Sequence, residues 1–352
     1  MIKSRRVIEL PPVQVRVVEH VLVERACPSC SKRWAPQMDL SSLAVGKQRF
    51  GVSVQAEVAL LREGCRLPFR VIQDYLHHRF GLRVSLGQLV ALVEGVARRG
   101  KAVVEGFKQQ IRGSPVVNGD ETTWREDGLN GYVWSFSTDK VRYYVYRKSR
   151  SASVVKEVLG EEFDGVVVSD FYGGYNTHLG PHQRCWVHLL RDIHELRERH
   201  AGDKELKKWA QAVKAIYERA KEYKGPNTRL DEVAQKRERV RRQREFELEL
   251  MRVCRPHLKK KRLQSRLCER VERFLPELFM FVADARVPAD NNAAERSVRH
   301  LVVSRKISGG TRSERGSETK SILASLFGTW RLRQLDFYQC CWDLLTANNP
   351  TL

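Results

Sequence analysis

Three acidic residues stand where a metal-dependent attack on a phosphodiester would need them: Asp120, Asp170 and Glu295. Two-metal phosphoryl transfer requires carboxylates holding two divalent ions roughly 3.5–4 Å apart. One ion activates a water or a 3′-hydroxyl, and the other stabilises the leaving oxygen. Hard carboxylate oxygens select Mg²⁺ or Mn²⁺, and neighbouring strand ends are rigid enough to carry them. Asp120 falls in Asn118-Gly-Asp-Glu-Thr-Thr-Trp124, after Ser114-Pro-Val-Val117, and Asp170 follows the apolar run Gly165-Val-Val-Val-Ser169. Both are predicted at strand ends. Plainer roles compete: Asp120 as a turn cap, Asp170 as the first residue of an Asp-Phe-Tyr-Gly-Gly turn. Glu121 points to the opposite face if the strand continues and is secondary.

Glu295 belongs to Val287–Glu314. On a helix, Ala294, Val298, Leu301 and Val302 form one apolar stripe, Asp290 occupies the N-cap position and Pro288 lies just outside. Glu295 sits beside the stripe, one turn after Asn291 and one turn before Arg299. Alone, this is an amphipathic helix with an i,i+4 Glu-Arg pair. Asn291 and Asn292 are expected to orient Glu295 or contact DNA. Arg296, Arg299, Arg305, Lys306, Arg312 and Arg315, with the Ser308-Gly-Gly310 turn among them, are expected to bind phosphates. Each has an exposed, uncommitted cation as its alternative.

The elements that must position these groups are legible in outline. Val7 to Val18 alternates like a strand and leads through Val21-Leu-Val23 to Cys27-Pro-Ser-Cys30, half of a zinc ribbon. Tetrahedral zinc wants four ligands; a second pair is absent within reach, and His20 is the nearby donor. The stretch therefore reads as a degenerate or amino-terminally shortened knuckle, with Zn²⁺ binding by Cys27 and Cys30 the alternative. Residues 51–113 read as helices. Pro68–Phe80, a turn at Gly81 and the capping-box start Ser85-Leu-Gly-Gln88 make a helix-turn-helix-like unit, with plain helical packing the rival reading. Gly131–Ser137 and Val141–Tyr146 read as strands joined by Thr138-Asp-Lys140. Ala152–Leu159 reads as a helix. Strand, strand, strand, helix, strand is how a ribonuclease-H-like sheet begins. From Cys185 about a hundred residues are helical: Cys185–His200, Lys204–Tyr223, Asp231–Arg255 and Leu258–Phe274, with a break at Gly225-Pro-Asn. This is too long for a loop and reads as an insertion. Its charge run, Arg237, Arg239, Arg241, Arg242 and Lys259–Lys261, is partly a solvated face. Helices at about Glu318–Arg333 and Phe337–Thr346 close the chain, with Trp330 and Trp342 assigned to the core. Trp124 is assigned to the core, with stacking on an unpaired base as the alternative.

At 352 residues with a net charge of +21, the chain has room for two or three domains and favours a polyanionic partner, most simply DNA. A membrane surface is the competing polyanion, but no apolar run approaches ~18 residues, and no signal peptide is seen. A cytoplasmic, nucleoid-associated protein with eight reduced cysteines is expected.

The motifs IELPP, ACPSC, LPFRVIQDYLHHRFGLRVS, NGDETTW, VVSDFYGGYN, CWVHLLRD, VPADNNAAERSVR and RKISGGTRSERGS together resemble the transposases of the insertion sequence 66 family, within the DDE superfamily. The resemblance covers nearly the whole chain. It implies an α/β fold, with a ribonuclease-H-like core interrupted by an α-helical insertion and a triad falling on Asp120, Asp170 and Glu295. Cys185-Trp-Val-His188 is similar to the C/D-x-x-H motif of several such groups; Cys185 and His188 would support the site or simply pack, and as a pair they lack ligands for zinc. Relatives usually carry a fuller zinc finger, of which residues 1–50 hold only a part. The expected organisation is a partial knuckle (1–50), a helical DNA-binding region (51–113), the first part of the core (114–184), the insertion (185–284) and the rest of the core (285–352). The implied activity is Mg²⁺-dependent cleavage at terminal inverted repeats and strand transfer, by a homodimer or larger assembly on transposon-end and target DNA, with accessory proteins of the same element. The alternatives are a non-catalytic DNA-binding relative and a ribonuclease-H-like nuclease.

Overall fold

A computed structural model describes residues 5–10, 13–36, 43–44, 48–226, 231–259 and 261–347. Pro11, Pro12, Asn227 and Lys260 lie outside them. The chain forms two compact units, Met1–Lys101 with Leu335–Leu352, and Ala102–Gln334.

In the first unit, β1 (Arg25–Ala26) pairs antiparallel with β2 (Arg33–Trp34) around the Cys27–Cys30 knuckle. The alternating stretch before it is not a strand in its described part, and Val7, Ile8 and Val17 are exposed. Among the described residues no strand takes its hydrogen bonds, so its alternation has no sheet to complete. Helices α1 (Val52–Ala59), α2 (Phe69–Phe80) and α3 (Leu86–Arg112, which runs on into the second unit) follow as the periodicity predicts. Gly81 ends α2 in the left-handed region. Ser85 and Gln88 cap α3 reciprocally, the Gln88 amide N–H donating to Ser85 Oγ at 3.2 Å and the Ser85 N–H to Gln88 Oε1 at 2.9 Å.

The second unit is mixed α/β. Its strands are β3 (Val116–Glu126), β4 (Leu129–Ser137), β5 (Arg142–Arg147), β6 (Val166–Ser169) and β7 (His182–Arg184), with α4 (Ser153–Leu159) before β6. They form one sheet in the order β5-β4-β3-β6-β7. The first three strands are antiparallel neighbours, and β6 and β7 join parallel to β3 and to each other. Asp127 and Gly128, both with positive φ, make the tight β3–β4 turn that the twist of a hairpin favours. Asp120 is therefore mid-strand, not at a strand end, because β3 runs on to Glu126. The fifth strand, β7, carries no alternation long enough to announce it.

The helical stretch after β7 comprises α5 (Trp186–Arg199), α6 (Lys204–Glu222), α7 (Glu232–Cys254), α8 (Ser265–Arg273), α9 (Leu275–Leu278) and α10 (Met280–Ala283). It has its own core, in which Trp186, Trp209, Val213, Phe246, Leu250 and Phe279 are buried. The predicted helix from Leu258 begins only at Ser265, since Lys259 takes a positive φ that an α-helix does not allow.

Two long helices, α11 (Asn292–Ser308) and α12 (Glu314–Leu332), lie on the sheet, and α13 (Phe337–Thr346) packs on α1 in the first unit. Trp330 is fully buried, whereas Trp342 is only half-buried. Both sheet edges are closed by side chains. At β5, the backbone N–H groups of Tyr146, Tyr144 and Arg142 donate to the hydroxyls of Ser321, Ser325 and Thr329, at 3.0, 2.9 and 3.0 Å. These hydroxyls recur every four residues, one per turn on the α12 face, and stand in for a sixth strand. At β7, Gln183 accepts from the Phe281 N–H and donates to the Leu278 carbonyl.

Removing one rung should leave a buried N–H without a partner, at about 1–3 kcal/mol. Ser325→Ala is thus expected to lower the urea midpoint by that equivalent with unchanged slope; an unchanged midpoint would mean the Tyr144 amide is satisfied elsewhere.

Candidate active site

Alternation along β3 sorts its side chains onto two faces. Asn118 and Asp120 share the face toward α11, where Asn118 Nδ2 donates to Asn291 Oδ1 at 3.0 Å. Gly119 and Glu121 share the other face, toward Tyr175. A Cβ at residue 119 would come within 2.6 Å of the Tyr175 ring, so only glycine fits there. Glu121 accepts from Tyr175 Oη at 2.7 Å and from Arg150 Nε at 2.7 Å. That ion pair, flanked by Tyr172 under the Arg150 guanidinium, commits Glu121 to the packing of the sheet.

Asp120 is held by its own backbone, Oδ1 accepting from the Glu121 N–H at 2.9 Å. Its carboxyl is pushed up to about 7, first by burial, then by the adjacent Glu121, with Asp170 and Glu295 adding repulsion. Those last two contributions place all three predicted carboxylates in one electrostatic neighbourhood. Asp170 follows β6 and turns its Oδ1 onto the Tyr172 N–H at 2.9 Å. Beneath it lies a residue that the sequence reading did not single out. Arg184, at the end of β7 and fully buried, donates from Nη1 to the Asp170 carbonyl and Ser169 Oγ, from Nη2 to Asn176 Oδ1, and from Nε to Glu277. It fixes the loop carrying Asp170. An isolated arginine in Gln183-Arg-Cys gives no periodic signal of that role.

Glu295 comes from the first turn of α11. The N-cap position is Asn291, not Asp290, although the Asp290 carboxylate does accept from the Asn292 N–H at 3.1 Å. Asn291 is 1% exposed; besides accepting from Asn118, its Nδ2 donates to the Gly119 carbonyl at 2.7 Å, and its N–H donates to Cys185 Sγ at 3.1 Å. It therefore ties the start of α11 to the strand of Asp120, while Asn292 remains half-buried outside that link. The cation near Glu295 is Arg191 of α5 at 3.9 Å, with His188 Nδ1 at 3.7 Å, and not the expected Arg299. Cys185 is buried at the start of α5; burial pushes its thiol up, against backbone N–H groups of Asn291, His188 and Val187 that pull it down.

Behind the helix the basic residues divide. Arg296, Arg299, Lys306, Arg312 and Arg315 are exposed. Arg305 instead donates to the Thr122 hydroxyl and to the Thr123 carbonyl and hydroxyl of β3. The Gly309–Gly310 turn is also engaged. Thr311 forms a parallel bridge with Glu126, and a Cβ on Gly310 would meet the Arg125 carbonyl at 2.2 Å. Trp124 is core, its Nε1 donating to Thr311 Oγ1. Cys27 and Cys30 are exposed, and among the described residues no third metal donor joins them. A cleft of about 600 Å³ opens beside Asp170, lined by Phe171, His188, Asp192, Arg270, Arg273 and Phe274 among others.

Asp120, Asp170 and Glu295 carry the hard oxygen donors a divalent cation prefers, but among the described residues the group of three donors brought within 4.8 Å of one another is Cys185, His188 and Glu295, not these carboxylates. The three carboxylates come from separate elements, and Asp170 and Glu295 each disfavour the charge on Asp120. The raised proton affinity of Asp120, due first to burial and next to Glu121, has a stability consequence. An acid whose folded pKa is raised from 3.8 to about 7 costs nothing below pH ~4, an increasing amount between ~4 and ~7, and its full roughly 4 kcal/mol above that. Asp120→Asn should therefore raise the melting temperature at pH 8 by several degrees and leave it unchanged near pH 4. A gain independent of pH would refute the electrostatic cause. For the seam, Asn291→Ala removes the partners of the Asn118 amide and the Gly119 carbonyl and should lower the urea midpoint by the equivalent of about 1–3 kcal/mol. An unchanged midpoint would mean that these groups are satisfied without Asn291.

Residues 47–319 match the family model described as Transposase IS66 family. The uncharacterized protein y4jD of Sinorhizobium fredii (strain NBRC 101917 / NGR234) is 23% identical over 371 residues, spanning 96% of this chain and 70% of that protein. Among the described residues no helix is long and apolar enough to cross a membrane. With the family match extending over well more than half of its length, the chain belongs to the IS66 family of transposases.

Proposed function

We propose that this transposase works as a DDE enzyme on a ribonuclease-H-like core, with Asp120, Asp170 and Glu295 as the ligands of Mg²⁺ or Mn²⁺. What supports the proposal is that Asp120 on β3, Asp170 after β6 and Glu295 on α11 are near enough for the latter two to add to the raised proton affinity of Asp120, behind the larger effects of burial and Glu121. The sheet order supports it, since the antiparallel trio followed by two parallel strands puts Asp120 on the central strand and Asp170 at the end of its neighbour.

A divalent cation held there would lower the pKa of the attacking water or 3′-hydroxyl and offset charge on the scissile phosphate. The chain's own residues do the rest. Asn291 and Asn118 hold Glu295 in register with Asp120, and Arg184 holds the Asp170 loop. Arg296, Arg299, Lys306, Arg312 and Arg315 offer exposed cations for backbone phosphates, while Arg305 braces β3. The helix-turn-helix-like pair α2–α3, with its capping box, is the element proposed to read terminal inverted repeats. Cleavage at two ends and joining to target call for a dimer or larger assembly on DNA.

Asp120→Ala, Asp170→Ala and Glu295→Ala, singly, should abolish both cleavage of labelled end DNA and strand joining, while gel-shift affinity for the ends persists. Residual cutting by all three variants would sink the assignment, and nicking without joined product in the wild type would point to a nuclease.

A further inference from the structure

The Cys185-Trp-Val-His188 pair has too few donors for a metal by itself, and the fold supplies the missing one. Cys185 Sγ, a His188 ring nitrogen and a Glu295 carboxylate oxygen all lie within 4.8 Å of one another, with His188 Nδ1 and Glu295 Oε1 at 3.7 Å. We propose that Cys185, His188 and Glu295 form a binding site for Zn²⁺ or a similar borderline transition ion, distinct in chemistry from the all-carboxylate site and sharing Glu295 with it.

Four features carry this. First, the donor set is of the right kind: thiolate, imidazole and carboxylate with bonds of about 2.0–2.3 Å suit tetrahedral zinc. Donor separations of roughly 3.5 Å then follow, so the observed distances need only modest contraction. Second, His188 Nδ1 and Glu295 Oε1 are buried atoms that make no hydrogen bond among the described residues; they face each other at 3.7 Å, with the Arg191 guanidinium 3.9 Å from the carboxylate oxygen. Polar atoms in that state are costly unless something arrives to meet them. Third, Cys185 sits at the N-cap of α5, and the Asn291 N–H donates to its sulfur. The sulfur is thereby held at a fixed place beside the start of α11, facing the other two donors. Fourth, three protein ligands leave one position open, and His188 also lines the cleft beside Asp170, so water or a phosphate oxygen can complete the set.

An ion there draws Glu295 toward α5. On the reading that Glu295 also serves Mg²⁺-dependent chemistry, loading this site withdraws a ligand from Asp120 and Asp170. The metal site itself does not depend on that reading.

The test uses the full chain carrying Cys27→Ser and Cys30→Ser, so that the exposed knuckle cannot contribute. Titrated with Zn²⁺ against a chromophoric chelator, this protein should bind one ion. Co²⁺ should give a thiolate-to-metal charge-transfer band together with intense tetrahedral visible bands. Adding Cys185→Ser should erase the charge-transfer band. Adding His188→Ala or Glu295→Gln should weaken Zn²⁺ at least tenfold, while Asp120→Asn should not change it. Absence of stoichiometric binding, or a cobalt spectrum unaltered by Cys185→Ser, would overturn the proposal; circular dichroism and melting of each variant exclude misfolding as the cause. Should Asp120→Asn still cleave DNA, the triad assignment fails while these titrations stand.

Discussion

The side chain of Asn291 is the contact on which the site depends. A primary amide offers one acceptor and two donors in a fixed plane, and Asn291 uses both kinds against β3, accepting from Asn118 and donating to Gly119. Aspartate would bring a charge and no donor to the Gly119 carbonyl, and glutamine would carry the amide one methylene too far. The backbone N–H of the same residue reaches Cys185. One buried residue therefore sets the distance between the strand of Asp120, the helix of Glu295 and the start of α5. Glu295 lies one turn further along α11, so any error at Asn291 is passed to it without attenuation.

The seam works only if the sheet beneath it stays a single rigid layer. Edge strands are where a sheet loosens or recruits partners, and here both edges are closed by side chains. Serine and threonine inside a helix are ordinarily neutral or unfavourable. On α12 the three hydroxyls gain by meeting amides that would otherwise be buried and unpaired. Tyr144 adds a second tie from the same strand, its hydroxyl donating to the Ser297 carbonyl of α11 at 2.8 Å. The two helices that cover the sheet are thereby fixed to β5 and, through Asn291, to β3.

Much of this was legible in the sequence because it follows from periodicity. The helices of residues 51–113, α6, α7 and α13 lie where their apolar spacing puts them, and so does β6. The Asn and Asp residues flanking Glu295 announced a helix start to within one position. What escaped had no local pattern. Strand β7 is three residues long and is defined only by its neighbour β6. Arg184 is a single cation whose partners come from three separate places in the chain. Asp120 looked terminal because Gly119 and the polar run after it resemble a turn, whereas the glycine is there for Tyr175. The opposite error occurred in the described part of Val7–Val18, where alternation promised a strand and none of the described strands pairs with it. The Asp127-Gly128 turn and the four-residue spacing of Ser321, Ser325 and Thr329 were visible and not used, since a serine ladder reads as helix surface until an edge strand is found beside it.

Charge was the least transferable of the sequence signals. The excess of +21 gives a long-range attraction to polyanions whatever each cation does locally, but it does not say which cations touch DNA. Arg241 and Arg242 of α7 share Glu245, Arg239 donates to the Val282 carbonyl, and Arg305 is spent on β3. Arg184 is sealed beneath the Asp170 loop. A guanidinium bound to backbone carbonyls or buried carboxylates is already holding the fold, and turning it to a phosphate would expose the groups it satisfies. The cations left for DNA are those whose withdrawal costs the fold nothing. On the face of α11 and the turn after it, that criterion separates Arg296, Arg299, Lys306 and Arg312 from Arg305, though all five look alike in the sequence.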